Sequence, residues 1–572
     1  MILNVFLLIV LFFAPFVIWG QNNPWHLTSS NGSETECTSI KRLPNNRIVV
    51  SGTFKDSVTI GGLRLSHDSV TNKKSSFLIF LNLEGRLLNS VAFFCQNRED
   101  ITIKKMETDP LGNVYLFFEL KSAYVFPDSS LIVRRPSDKT AVILKYDALG
   151  KLIYAVQPES SGAKMDAKGF TVLPDGSIIL GTNLKEFLTI NNTLYRPVGG
   201  EDLLLIKINP KGKISKVQRF GGPNSEKIEG MGSDRAGNIL IGGNFAGSLP
   251  LSETQIMRGV NKNPFILKLD SALNPITFFT QFSGAKEHKI KTIETDNKGN
   301  FLVAGEVESV THNIGLLRFS NQGKKDAFLA KFDSELKLDW AINANPLGEA
   351  NINHISVDSR NEIFIAGKFK TGFRFGGQPE NPIISTCEGE PSRSENGYLV
   401  KLSENGEILA AKSVSASGKG DVKGILSDFG NNIYIGGQFE QSYSPDSTIR
   451  FETTGGKKNF FLSRTDLNSC RFKYDNSRDF INFDQIYLHQ NFPNPTSSGF
   501  TYLMFHARSP RKVRMDIFDN KGRHIETVLD EEVEVKNYTI PYTFPPNCEN
   551  GLYLLRIHSG EFVFTRKMML MR

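Results

Sequence analysis

The side chains that commonly do chemistry are present in this chain, but they are not spaced for it. His26, His67, His288, His312, His354, His489, His506, His524 and His558 form no pair of the His-Glu-x-x-His kind, the spacing that puts two imidazoles on one metal ion. Turns of the form Asp-x-x-Gly-Asn, as at Asp109, Asp234 and Asp296, suggest calcium at first sight. A calcium loop needs several oxygen ligands close together, however, and each turn supplies one carboxylate whose bonding to the turn backbone accounts for it. The stretch Gly418-Lys419-Gly420-Asp421-Val422-Lys423-Gly424 approaches a phosphate-cradling loop but sits between strands, with no helix to follow. No Gly-x-Ser-x-Gly nucleophile elbow occurs. The five cysteines, Cys37, Cys95, Cys387, Cys470 and Cys548, contain no Cys-x-x-Cys, so neither a zinc site nor a redox pair is indicated. No catalytic residue, cofactor site or metal site is therefore expected.

What recurs is a framework. Asp428-Phe429-Gly430-Asn431-Asn432-Ile433-Tyr434-Ile435-Gly436-Gly437-Gln438-Phe439 is one of seven copies of a phrase, ending at Phe54, Leu120, Leu184, Phe245, Val307, Phe369 and Phe439. A period of this size points to a solenoid or a propeller. Before the polar start of each returning strand stand Asn46, Gly112, Gly176, Gly237, Gly299, Asn361 and Asn431. Gly and Asn best tolerate positive φ, as a type I turn closed by a left-handed residue requires. Upstream, Asp109, Asp234, Asp296, Asp358 and Asp428 can accept backbone N–H bonds across the turn; Leu43 and Leu173 replace them in the first and third copies.

The strand that follows is apolar at consecutive positions, as in Phe301-Leu302-Val303, so both of its faces must be buried. A second hairpin closes each copy, with a lysine column at Lys145, Lys207, Lys268, Lys331 and Lys401 that suits a structural site. Its turn glycine, at Gly85, Gly150, Gly212 and Gly406, gives way to Leu273, Leu336 and Ser469 in the other copies, which makes this turn the less strictly specified one. Two hairpins give four strands per copy, the content of one propeller blade. The expected fold is all-β: a seven-bladed β-propeller over residues 25–475, then a small C-terminal β-sandwich. Either Trp25–Ser30 or the segment from Cys470 to Tyr474 supplies the strand that completes the last blade. A Cys37–Cys470 disulfide would lock such a ring shut; the other reading, at least equal to it, is that most of the cysteines are buried free thiols.

Phrases such as Gly237-Asn238-Ile239-Leu240-Ile241-Gly242-Gly243-Asn244-Phe245, with Asp326-Ala327-Phe328-Leu329-Ala330-Lys331-Phe332-Asp333 in the next copy, resemble the bacterial SBBP-type β-propeller repeat. The resemblance implies an extracellular scaffold and no particular ligand.

After a polar linker at 476–484 the pattern changes, and residues 485–572 read as short strands with turns between them. Asn491-Phe492-Pro493-Asn494-Pro495, the turn from Asp519 to Gly522, Gly551-Leu552-Tyr553 and the terminal Thr565-Arg566-Lys567-Met568 follow one another as in the type A C-terminal sorting domain of the type IX secretion system, which this tail resembles. Thr496 departs from that pattern, where an aromatic or small apolar residue is more usual. The resemblance implies a domain read by the outer-membrane translocon, then removed by a sortase that can join the body to surface lipopolysaccharide.

Ile2 to Trp19 is apolar except for Asn4 and Pro15, and Gly20-Gln21 follows. A signal peptide over 1–20, cut between Gly20 and Gln21, is expected; an uncleaved anchor is the alternative. The net charge of +7 is spread along the chain without a run of five or more basic residues, so no nucleic-acid partner is expected. The leading reading is a secreted or outer-membrane surface scaffold for adhesion or for binding an extracellular protein or glycan. The alternative is a propeller enzyme acting on carbohydrate or peptide. Carboxylates or histidines clustered at a central channel would favour the enzyme, and exposed aromatic residues on long loops such as Ser122 to Lys139 and Thr371 to Glu395 would favour binding.

Overall fold

A computed structural model describes residues 24–465 and 486–572 apart from short internal segments, the longest being 134–139, 376–382 and 385–394. The expected leader, with Gly20 and Gln21, and the expected linker at 476–484 lie outside the described residues, as do Cys387, Cys470 and most of the two long loops. Every named element is a β-strand. No helix long and apolar enough to cross a membrane occurs among the described residues. The chain forms two compact units, Met1–Phe472 and Lys473–Arg572.

Among the described residues the first unit contains seven antiparallel sheets built on four strands each. The fifth shows the plan: His288–Thr295, Phe301–Val307, Asp326–Phe332 and Leu338–Pro346 pair in sequence order. The turn between its first two strands is the expected one. Gly299 has φ +83°, and Asp296 accepts the N–H groups of Lys298 and Asn300 at 2.9 and 2.8 Å. Asn46, Gly112, Gly176, Gly237 and Asn361 also have positive φ, whereas Asn431 lies outside the described residues. In the second turn Leu273 and Leu336 take φ of +66° and +60°, close to the glycines they replace, and both side chains are buried. Burial of an apolar side chain offsets the left-handed strain that a bulky residue otherwise makes costly.

Consecutive apolar residues serve two different cores. Phe301 and Val303 pack with Leu240 and Ile266 of the preceding sheet. Leu302 and Ala304 pack with Ile363, Ile365 and Val400 of the following one. Alternation of side chains across a strand therefore buries both faces when a sheet stands on either side. Close approach at this seam depends on Gly242, where a Cβ would meet Ile290 Cγ2 at 2.4 Å.

The first strands of the sheets contact one another in a cycle. Thr35–Leu43 lies beside Ile103–Thr108, then come Ala167–Val172, Lys227–Ser233, His288–Thr295, Ala350–Val357 and Gly420–Ser427, and the last lies against Thr35–Leu43. The seventh sheet is composite. Its fourth strand is Trp25–Ser30, which pairs antiparallel with Asn459–Thr465 and sets Trp25 opposite Arg464. The sequence left this place open between two segments, and the N-terminal one fills it. Cys37 is a free, buried thiol, as the second of the two readings of the cysteines has it. Burial raises its pKa to about 12, as desolvation of a thiolate requires.

The lysine column stitches neighbouring sheets. Lys207, Lys268 and Lys331 donate to the carbonyls of Ser271, Ser334 and Glu404, each in the second turn of the next sheet, at 2.6, 2.7 and 3.0 Å.

The second unit has two sheets, one of Ile486–Leu488, Phe500–Ala507 and Lys536–Thr543, the other of His524–Val533, Arg511–Asp519, Gly551–Ser559 and Phe562–Leu570. Both contribute to one core, with Leu503 and Phe505 from the first and Met515, Ile517, Leu555 and Ile557 from the second.

Candidate functional site

All seven first strands of the first unit wall one cavity of about 610 Å³. Its lining is polar and strongly charged. Lys41 on the first sheet forms an ion pair with Glu107 on the second at 2.7 Å, both partly buried. Burial opposes the Lys41 ammonium, but Glu107 and then Glu294 outweigh it and hold its pKa above the usual lysine value. Burial raises the pKa of Glu294, with Lys41 opposing and Glu107 adding to the rise. His354, from the sixth sheet, is pushed down to about 3 by burial and then by the ammonium groups of Lys41 and Lys105. Lys105 is reached by water yet ringed by protein, and its pKa is lowered by that desolvation against the pull of Glu107, with Lys41 adding to the lowering. Four sheets thus bring together titratable groups that lie up to 313 residues apart in the chain, from Lys41 to His354.

Each first strand carries one register shift at the same place. The extra residues are Thr38, Lys104, Lys168, Glu229, Lys291, Asn353 and Lys423, and each stands five positions before the residue that opens its turn. A bulge leaves one residue out of the ladder and re-aims its side chain. All of these except Glu229 line the cavity. The column has no motif of its own in the sequence, although its residues can be found by counting back five positions from Asp109, Asp296 or Asp428. No group of three or more His, Cys, Asp or Glu placed to hold a metal ion occurs among the described residues.

The tail residues singled out in the sequence form a different arrangement. Asn491 is buried and donates from Nδ2 to Thr501 Oγ1 at 2.9 Å. Asn494 bonds the last strand twice: its Nδ2 donates to the carbonyl of Lys567 at 3.0 Å, and its Oδ1 accepts the N–H of Met569 at 2.7 Å. Thr496 continues the pairing, donating its N–H to Met569 O and accepting the N–H of Met571, each at 2.9 Å. Its hydroxyl donates to Phe500 O at 2.6 Å, so a polar side chain is satisfied at a fully buried position. Pro495 is exposed between them, and Phe492 and Pro493 lie outside the described residues. Gly522, at φ +79°, closes a turn in which Asp519 accepts the N–H groups of Lys521 and Arg523, each at 2.9 Å, the geometry of the Asp296 turn. Gly551 opens its strand opposite Leu570, and Tyr553 donates its hydroxyl to Glu549 O at 2.8 Å. Lys567 is exposed.

Residues 490–571 match the secretion system C-terminal sorting domain. This sorting domain belongs to the type IX system, so the chain is exported to the cell surface or the extracellular space and engages type IX secretion machinery. Within the sorting domain Asn494 and Thr496 thus bond along the terminal strand. No curated protein matches the chain. Among solved structures, a mutant of the Synechocystis apocarotenoid oxygenase is 10% identical with a TM-score of 0.34, covering 66% of this chain and 72% of its own. A member of the DUF4221 family from Bacteroides vulgatus is 12% identical with a TM-score of 0.29, covering 64% and 98%. Likeness at these scores carries no argument about fold or activity.

Proposed function

We propose that the body, residues 25–475, is a seven-bladed β-propeller of the SBBP type that acts as a binding or adhesion scaffold for an extracellular protein or glycan. Residues 1–20 are its signal peptide, cut between Gly20 and Gln21, and 476–484 a linker. Residues 485–572 are a β-sandwich read by the type IX translocon and removed by a sortase, with surface lipopolysaccharide as the acceptor. The observation that carries the reading is the cavity shared by the first strands of all seven four-stranded sheets, the position of the central channel when such sheets are arranged radially. Asn491, Asn494, Pro495, Gly522, Gly551, Tyr553 and Lys567, with Phe492 and Pro493, make up the sorting signal on this reading.

The test is fractionation of the native host with mass spectrometry of both ends of the mature protein. A surface or medium fraction that lacks residues 1–20 and the tail beyond the linker supports the reading. A protein that keeps its tail in the periplasm overturns the sorting role.

One observation favours the enzyme alternative: Glu107 and Glu294 both act on Lys41 inside the cavity, and burial raises the pKa of Glu294, as the acid of an acid–base catalyst requires. Hydrolysis of a polysaccharide or peptide panel that Glu294→Gln abolishes while the fold is kept would establish it. No turnover by the wild type leaves the scaffold reading.

A further inference from the structure

The seam between the fourth and fifth sheets buries several polar side chains without hydrogen-bond partners. His288 opens the first strand of the fifth sheet, and His312 lies on a strap, Thr311–Ile314, inserted between that sheet's second and third strands. Each is only 2% exposed. Their ring centres stand 5.3 Å apart with planes at 70°. Phe282, Phe328 and Phe319 surround them, Phe319 stacked on His312 at 5.2 Å. Across the seam Asn244, on Ile239–Phe245 of the fourth sheet, donates from Nδ2 to the His288 carbonyl at 3.2 Å. Among the described residues His288 Nε2, both ring nitrogens of His312 and Asn244 Oδ1 have no hydrogen-bond partner.

Buried polar atoms left unpaired are rare and costly, and phenylalanine would fill such an aromatic pocket without that cost. Imidazole nitrogens free of hydrogen bonds are available to a metal ion instead. A Zn–N bond of about 2.0–2.1 Å puts the metal about 3.2 Å from each ring centre, and a tetrahedral angle then sets the two centres about 5 Å apart. The observed 5.3 Å matches. Burial pushes both imidazoles down to about 4, with His312 adding to the effect on His288, so both are neutral, the form that ligates. His288, Val307 and Asp326 stand opposite one another on successive strands and so share a face, with about 10 Å between the outer two. Asp326 is fully buried and unpartnered among the described residues, and a cation in the same low-dielectric seam would stabilise its carboxylate. We propose that His288 and His312 are the imidazole ligands of a divalent transition-metal site, zinc by ligand type, with Asn244 Oδ1 the nearest oxygen donor from the facing sheet and Asp326 the counter-charge. The pair falls short of a cluster of three His, Cys, Asp or Glu side chains, so the amide oxygen and exchangeable ligands complete the coordination. The site goes beyond the scaffold reading and does not depend on it. Its ion ties the strap to the first strand of its own sheet.

Isothermal titration calorimetry with zinc chloride, on the full chain without its leader after treatment with EDTA, tests this. One equivalent of zinc that His312→Phe loses is expected, with binding weakened about tenfold or more by His288→Gln. Zinc is expected to raise the melting temperature of the wild type and not that of His312→Phe, because a ligand stabilises only the state that binds it. His524→Gln, which changes a half-exposed histidine of the sorting domain, is expected to leave that equivalent in place. No zinc binding up to about 1 mM, or equal binding by wild type and His312→Phe, overturns the site. If the pocket variants fail to fold, X-ray absorption spectroscopy of the zinc-loaded His524→Gln protein decides: two imidazole nitrogens per zinc are expected, and a shell of oxygen alone overturns the proposal. Failure of the metal site leaves the scaffold reading standing, since fractionation of the host tests that separately.

Discussion

Asn550 holds Arg572, the last residue, as a paired strand would: its Oδ1 accepts the Arg572 N–H at 2.6 Å and its Nδ2 donates to the Arg572 carbonyl at 2.9 Å. The guanidinium adds bonds to the carbonyls of Phe544 and Pro546 at 2.6 and 3.2 Å. With Asn494 acting the same way on Lys567 and Met569, two asparagine side chains fasten the end of the sorting domain.

This clasp predicts a protease phenotype. Asn550→Ala removes two hydrogen bonds, about 1–2 kcal/mol of local stability, and frees the chain end. Carboxypeptidase B is expected to trim Arg572 from the variant rapidly and from the wild type slowly, read by mass spectrometry. Equal trimming rates would show that the clasp does not hold in solution.

Asp326 predicts an alkaline weakness. Its carboxyl is fully buried, neither oxygen has a hydrogen-bond partner among the described residues, and burial raises its pKa to about 7. An unfolded aspartate titrates near 3.9. Below that value both states hold the proton and the group contributes nothing. As pH rises from about 4 to 7 the unfolded chain loses its proton while the folded one keeps it, so stability falls, by up to about 4 kcal/mol. Asp326→Asn is expected to raise the denaturation midpoint at pH 8 and leave it unchanged at pH 4. An equal shift at both pH values would point to packing instead.

Lys331 and Asp296 form an ion pair at 3.2 Å with side chains only 4% and 1% exposed. Removing one member of a buried pair strands the other, at about 3–5 kcal/mol. Lys331→Ala is expected to cost that much in urea denaturation, and Lys331→Ala with Asp296→Asn less than the sum of the two single changes. Additivity would mean that the pair is uncoupled.

The composite seventh sheet predicts dependence on the N-terminus. Deleting Trp25–Ser30 exposes the edge of Asn459–Thr465 and uncovers Tyr434, against which Trp25 packs at 6.0 Å. An unpaired edge invites association. The deletion is expected to lower the melting temperature and to produce aggregates visible by light scattering, while a variant starting at residue 22 behaves as the full chain does.

Much of this framework was legible because it is locally encoded. The Asp296 turn needs a left-handed residue at Gly299 and an acceptor four residues before Asn300, all within one short stretch. The apolar run Phe301-Leu302-Val303 announces burial on both faces without reference to a partner. Leu273 and Leu336 show where local reading weakens: they lack the glycine signal yet take its conformation, because burial in a distant core offsets the strain. The sorting domain was legible too, as motifs in order, although nothing local says that Asn494 bonds Met569 or that Asn550 closes on Arg572.

What the sequence alone determined is the repeat, its turns, its strand count and the address carried by the tail, since each follows from residue types within a few positions of one another. Only the tertiary structure decided that Trp25 pairs with Arg464, that Lys41 meets Glu107, and that bulges spaced along the chain bring Lys104, Lys168, Lys291 and Lys423 to one cavity. Those relations join residues tens to hundreds of positions apart, and their energies come from packing and charge that exist only once the sheets have assembled.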